Sequence, residues 1–291
     1  MASSYGGNDR KDGRLLRTVG LFSKLLPNFV RKRTEASDVY DDSFDISRAD
    51  RWLKAQDAGE YTGMGLMHLF IAAYVRTVAA HPDMNRFVMG GNLYAKNEIE
   101  VAIPITRGYG YDKENSVIKV AFETSDTVYD VYRRISSAIS EDENNVGGND
   151  TDVLGRRFAK APRILRRLYS LIIRILDYFD LLPVRLRSAS PFHASMMLND
   201  LSALGIGPAA HHLFNTGTLP LVISVGSRRT AYEFDGKDSV IGRRYVDAKF
   251  SFDSRISNAE GFAAAFKTFK KHIESPNLME MPPEIAIDDV R

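Results

Sequence analysis

The chain contains no cysteine in 291 residues. That absence excludes a disulfide framework, a thiolate metal site and a cysteine nucleophile. No apolar run reaches the ~18–20 uncharged residues that a bilayer span needs. The opening stretch, MASSYGGNDRKDGR, is polar and glycine-containing and has no signal-peptide character. Charge of one sign is not in excess either: 39 Lys+Arg face 37 Asp+Glu, for a formal net charge of +2. Generic catalytic signatures are missing as well, with no Walker loop, no GxGxxG after a strand, no HExxH and no GxSxG. Together these absences give the expectation of a cytoplasmic chain. What is present is a 44% hydrophobic composition, enough for a substantial core at this length.

The balanced charge hides segregation. Residues 1–37 form a basic amphipathic extension, in which Leu15, Leu16, Val19, Phe22, Leu26, Phe29 and Val30 recur at helical spacing among arginines and lysines of the 14–33 block. Pro27 kinks or ends that helix. Helices are predicted over 47–58 and 63–80, the second stopping at His81-Pro82. Strands follow at 99–105 and 116–122, then a helix that Thr127 caps. Residues 141–152 read as a polar loop. The block 153–187 is helical in pattern, apolar on one side, and carries nine basic residues opposed only by Asp177 and Asp180. Strands return at 192–198, 219–226 and 245–253. The last places Val246, Ala248, Phe250 and Phe252 on one face and Tyr245, Asp247, Lys249 and Ser251 on the other. An amphipathic helix with Phe262, Phe266, Phe269 and Ile273 on one stripe closes the pattern.

Six histidines are the main titratable candidates: His68, His81, His193, His211, His212 and His272. His211 and His212 are adjacent, so in a regular element they point apart, and no carboxylate cluster accompanies them at ligand spacing. No metal site is expected.

Several segments carry more information in combination. HPDMNR (81–86) follows an apolar helix, YAKNEIEVAIPI (94–105) lies downstream, NDLSALGI (199–206) precedes LFNTGTLPLVISVG (213–226), and KFSFDSRISNAEGFAAAFKTFKKHIESP occupies 249–276. In order and spacing over about 38–280 this resembles the superfamily of chloramphenicol acetyltransferase and the catalytic domain of dihydrolipoamide acyltransferases. The resemblance implies an α/β two-layer sandwich with a large mixed β-sheet, a homotrimer with active-site channels between subunits, and coenzyme A or an acyl-coenzyme A as donor. It divides the chain into the 1–37 extension, an acyltransferase-like domain at 38–280 containing a basic helical insertion at 141–190, and a 281–291 tail. No lipoyl domain or subunit-binding linker stands ahead of residue 38, so a swinging-arm core role is not expected.

In that family a histidine removes the acceptor proton, its unperturbed pKa lying near working pH. A hydroxyl donor steadies the tetrahedral oxyanion, which is worth about 3–4 kcal/mol. Aligning Asp-His-Arg-x-x-Asp-Gly to Asp253–Ala259 puts Ser254 at the histidine position, keeps Arg255, and puts Asn258 and Ala259 at the aspartate and glycine positions. Asn199 falls at the hydroxyl position, and a shift of a few residues would offer Ser195 or Ser202. A serine cannot act as general base near pH 7 without a base beside it. The resemblance therefore implies either an altered protein that keeps the fold for binding or structural purposes, or an active enzyme whose base is relocated to His193 or His212. A third reading is a subunit that uses the trimer as a scaffold. The blocks 14–33 and 153–187 fit docking on a membrane surface, on its inner face, or on a protein partner. No nucleic-acid module is present.

Overall fold

The computed structural model describes residues 9–107, 114–144, 150–234, 236 and 239–290. Its elements are β1 (Gly13–Leu15), α1 (Leu21–Phe29), β2 (Ser37–Asp45), α2 (Ser47–Asp57), α3 (Leu66–Ala80), β3 (Arg86–Met89), β4 (Asn92–Lys96), β5 (Ile99–Arg107), β6 (Glu114–Phe122), α4 (Val128–Asn144), α5 (Asp150–Lys160), α6 (Arg163–Tyr178), α7 (Val184–Ser188), β7 (Met196–Asp200), β8 (Leu221–Phe234), β9 (Val240–Asp253) and α8 (Ala259–Glu274). Six strands form a mixed sheet in the order β2-β9-β8-β7-β5-β6, with β7 parallel to both neighbours. A three-stranded sheet, β1-β4-β3, stands beside it.

The strict alternation of β9 decides which face meets the helices. Val246, Ala248, Phe250 and Phe252 point into the main core together with Leu221, Ile223 and Val225 of β8. Facing them are α3, buried at nearly every position, and the Phe262, Phe269 and Ile273 stripe of α8. Phe44, Phe70, Phe250 and Phe269 make edge-to-face or tilted ring contacts at 5.3–6.2 Å. The opposite face carries a smaller cluster, Ala102, Ala194, Leu213, Leu219 and Val222. That face also bears Ser224 and Ser251.

Most predicted elements appear with shifted ends. The N-terminal helix is shorter than its apolar spacing suggests: Gly13–Leu15 pairs with β4, and α1 begins only at Leu21. Edge pairing offers those three residues ladder bonds that a helix ahead of Gly20 would forgo. The 192–198 segment is also not one strand, because Pro191–His193 forms a 3-10 turn and β7 starts at Met196. The 141–152 stretch is helical at both ends, in α4 to Asn144 and α5 from Asp150, while 145–149 lies outside the described residues. Thr127 caps α4 by accepting the Asp130 N–H. The tail is tied down: the Ile287 N–H donates to the Ala79 carbonyl, and Arg86 forks onto Asp289.

His68 belongs to this core. Its Nδ1 accepts the Gly65 N–H at 3.0 Å, and burial pushes the ring down to about 4. An unfolded histidine binds its proton near 6.5, so below that pH the unfolded state takes up a proton that the folded state refuses. Stability is full above pH 6.5 and falls by about 3 kcal/mol as pH drops from 6.5 to 4. Urea unfolding of wild type and His68→Gln at pH 7 and pH 4 is expected to show that extra loss only in wild type. Equal losses would locate the acid sensitivity elsewhere.

Helix α6 is mounted in an unusual orientation. Asp177 is buried and Ser170, Ile173 and Leu176 are half-covered, so this flank meets the protein. Ile164, Leu168, Leu171, Ile175 and Phe179, on the opposite flank, face outward, with Ile164 80% exposed. Leu21, Phe22 and Phe29 of α1 are exposed in the same way. Tyr178 of α6 and Asn28 of α1 both reach the Gly90–Gly91 turn between β3 and β4.

Candidate functional site

The altered motif runs from the end of β9 into α8. Asp253 is fully buried and receives a fork from Arg255, Nε to Oδ1 at 2.7 Å and Nη2 to Oδ2 at 2.6 Å. Arg33 stands 3.5 Å from the same carboxylate. The third nitrogen of Arg255 donates to the Val30 and Arg31 carbonyls at 2.8 and 3.2 Å, which straps the segment after α1 across the motif. Ser254 is closed onto that strap: its N–H and its hydroxyl both donate to the Ala36 carbonyl, each at 2.9 Å. A hydroxyl that donates to a carbonyl gains no nucleophilicity from it, because activation requires a base to receive the proton.

The neighbouring positions are engaged in shaping the chain. Asn258 caps α8, its Oδ1 accepting the Gly261 N–H at 2.8 Å. The Ser257 hydroxyl donates to Asp83, and Arg86 Nη1 donates to the Ile256 carbonyl at 3.2 Å, so the HPDMNR turn and the motif are one packed unit. Gly261 permits it: a Cβ there would sit 2.2 Å from Ser257 Oγ.

Asn199 lies on β7 opposite Ser224 of β8, which in turn faces Lys249 of β9. The segment after the 3-10 turn at Ser202–Leu204 crosses this face, Ala209 and His211 donating their N–H groups to Ser224 Oγ and Ser251 Oγ at 3.0 and 3.1 Å. The Asn199 amide meets His211 Nε2 at 3.0 Å. Burial holds the His211 ring below the usual histidine range, so it is neutral at pH 7 and its Nε2 lone pair accepts from the amide. Ser254 lies two strands away and five residues further along β9. From strand geometry that is roughly 19 Å from Asn199, so a single chain does not bring the two positions together.

The alternative histidines fall elsewhere. His193 is buried, its Nε2 3.3 Å from Asp177 Oδ2. Burial pushes the Asp177 carboxyl up, but the His193 ring and the Arg10 guanidinium outweigh it and hold the carboxyl below its ordinary range. Arg10 binds Asp177 at 3.0 Å, and Arg187 binds Asp180 at 2.6 Å. This cluster pins the end of α6 to the N-terminal strand. His212 is exposed. Of the serines, Ser195 is fully buried and spans Glu98 and Glu100 backbone groups, and Ser202 sits in the 3-10 turn. Among the described residues no group of His, Asp and Glu could hold a metal ion.

Sequence reasoning named His212 rather than His211 as an alternative base, because nothing local distinguishes the two, whereas the structure sets His211 beside Asn199. It also left out Arg33, Val30 and Arg31, which meet the motif only through the chain's return to β9. Arg31 and Arg33 border a cleft of about 450 Å³ that Lys32, Asn215, Tyr178 and Arg255 also line.

No family model matches the sequence, and no curated protein matches it. Solved structures do match. A probable dihydrolipoamide acetyltransferase from Listeria monocytogenes superimposes with a TM-score of 0.54 at 13% identity, over 89% of this chain and 93% of that one. An Azotobacter vinelandii dihydrolipoamide acetyltransferase gives 0.53 at 14% identity, over 91% and 94%. A chloramphenicol acetyltransferase gives 0.53 at 9% identity, over 90% and 99%. This is the chloramphenicol acetyltransferase fold. Within that fold, the mixed sheet and the order of its segments agree with the resemblance read from HPDMNR, NDLSALGI and the 249–276 segment. None of the helices among the described residues is long and apolar enough to cross a membrane.

Proposed function

We propose that this chain uses the chloramphenicol acetyltransferase fold as a binding or structural homotrimer at a membrane surface, without acyl transfer by the motif residue. The observation that carries the reading is the closure of Ser254 onto the Ala36 carbonyl beside a sealed Asp253–Arg255 pair. The mechanism named for the Azotobacter protein involves a serine, a histidine and, four positions after the histidine, an asparagine. Asn258 stands four positions after Ser254 here, but its side chain is spent on the helix cap. Such a trimer would bring the Asn199 position of one copy toward Ser254 of a neighbour, two positions that roughly 19 Å separates within one chain.

Coenzyme A thioesters are the ligand class that suits the cleft beside the motif. Arg31 and Lys32 at its rim would meet phosphates, and among the described residues no carboxylate lines it. Arg33 and Arg255 are already committed to Asp253. The outward apolar flank of α6, edged by arginines, supports the membrane reading over a protein partner: burying Leu and Ile in the acyl boundary while basic groups meet anionic head groups is the chemistry of an interfacial helix.

One observation favours a second reading, an active acyl-coenzyme A-dependent acyltransferase with a relocated base. A neutral imidazole, His211, sits on the Asn199 position. His193 is spent on Asp177, and His212 faces solvent. Free-thiol release from an acyl-coenzyme A, with and without hydroxyl and amine acceptors, decides between the readings. Background rates are expected. Saturable turnover abolished by His193→Ala, His211→Ala or His212→Ala would establish the enzyme instead.

A further inference from the structure

The helical insertion encloses two adjoining spaces. The first is an apolar cavity of about 360 Å³ beneath α6, walled by Phe158, Ile173, Leu182, Leu186, Phe192 and Phe214. That volume lies in the range of small-molecule sites. The second is an open concavity between α5 and α6, about 560 Å³, where Arg163, Arg166, Arg167 and Arg174 converge. Phe158 and Ser170 line both, so the spaces share a wall. No carboxylate lines either, and Arg163, Arg166 and Arg167 have no ion-pair partner among the described residues. Among the described residues Arg174 holds only a bond to Thr216 Oγ1, at 3.1 Å, and Thr216 itself lines the apolar cavity.

A buried polar atom adds an independent observation. His193 lines the apolar cavity and is 2% exposed, yet neither of its ring nitrogens has a hydrogen-bond partner among the described residues. Nε2 stands 3.3 Å from the Asp177 carboxylate, whereas Nδ1 has no polar atom of the described chain beside it. A buried polar nitrogen left unmet is costly, so a ligand group that pairs with it would relieve that cost.

We propose that the insertion is a binding site for a single-chain amphiphile with a net-anionic phosphate head, its acyl chain in the cavity under α6 and its phosphate among Arg163, Arg166, Arg167 and Arg174. A hydroxyl near the head meets His193 Nδ1. The four guanidiniums, which converge on the one concavity beside α6, match a phosphate's several acceptors. The apolar walls exclude a head group and accept methylenes. This goes beyond the proposed function and does not depend on whether Ser254 or any histidine performs chemistry.

Titration calorimetry of the full chain with monomeric palmitoyl lysophosphatidate tests it. One saturable site is expected, at least about tenfold tighter than for palmitoyl lysophosphatidylcholine, which has the same chain and a zwitterionic head. Arg166→Gln/Arg167→Gln should weaken the site by a similar factor, and Ile173→Trp, which fills the cavity, should abolish it. Palmitoyl-coenzyme A, the other phosphate-headed probe, separates a thioester source from a lipid source: whichever binds with the arginine dependence supports the site and names its source. Absence of saturable binding by the phosphate-headed probes, or equal affinity for the choline-headed lipid, would overturn it. Should Ile173→Trp fail to fold, the head-group comparison on wild type decides alone. Binding is read without turnover, so a failed thioester assay and a failed titration remain distinct results.

Discussion

Arg255→Met is expected to destabilise the fold by about 3–5 kcal/mol. Asp253 is fully buried, and Arg255 supplies its two short contacts; among the described residues Arg33, at 3.5 Å, is the only other cation paired with it. Removing the guanidinium leaves a buried carboxylate with weak compensation and frees the Val30 and Arg31 carbonyls that strap the N-terminal segment down. Adding Asp253→Asn removes the stranded charge, so the double variant should recover part of the loss. Chemical denaturation of the two single variants and the double gives the coupling directly. Additive losses would mean that Asp253 and Arg255 do not act as one unit.

The second large effect concerns α6. Leu168, Leu171 and Ile175 each stand about half exposed on the outward flank, so each has roughly 1 kcal/mol of apolar burial still to gain. Replacing all three by glutamate should remove about 3 kcal/mol of membrane affinity, or about 100-fold in partition. Flotation with vesicles rich in anionic lipid is expected to recover wild type and leave the triple variant in the dense fraction. The three side chains lie away from the core cluster, so thermal unfolding should be unchanged. High salt should weaken wild-type flotation by screening the arginines. Equal recovery of wild type and variant would assign the exposed flank to a protein contact.

The two ends of α6 explain why sequence alone reads its chemistry but not its orientation. The 3.6-residue period of 163–178 announces an amphipathic helix, and a default packing would turn its apolar flank inward. The actual orientation is set by Asp177, whose burial against Arg10 and His193 depends on a residue 167 positions earlier in the chain. No local pattern carries that pairing. The β9 alternation was legible because both faces of one strand differ in polarity, and its inward set is the set that meets α3 and α8. By contrast β2, β3 and β4 escaped notice: β2 reads SDVYDDSFD, and its pairing with β9 comes from register rather than from apolar content.

At the candidate site the same division holds. The replacement of a histidine by Ser254 can be read from the 249–276 segment, but the fate of the hydroxyl depends on Ala36, brought in by β2 pairing with β9. Likewise Asn199 was legible as a position, whereas its partner His211 became distinct from His212 only when the 207–213 segment was laid across Ser224 and Ser251.

Ser254→Ala, read for stability and for chemistry in the same preparation, tests the central claim most directly. Loss of the bond to Ala36 should lower the unfolding free energy by about 1 kcal/mol. Free-thiol release from acyl-coenzyme A should stay at the background rate in both wild type and variant. Unchanged stability together with a wild-type turnover that the variant loses would contradict the account and make Ser254 a catalytic group.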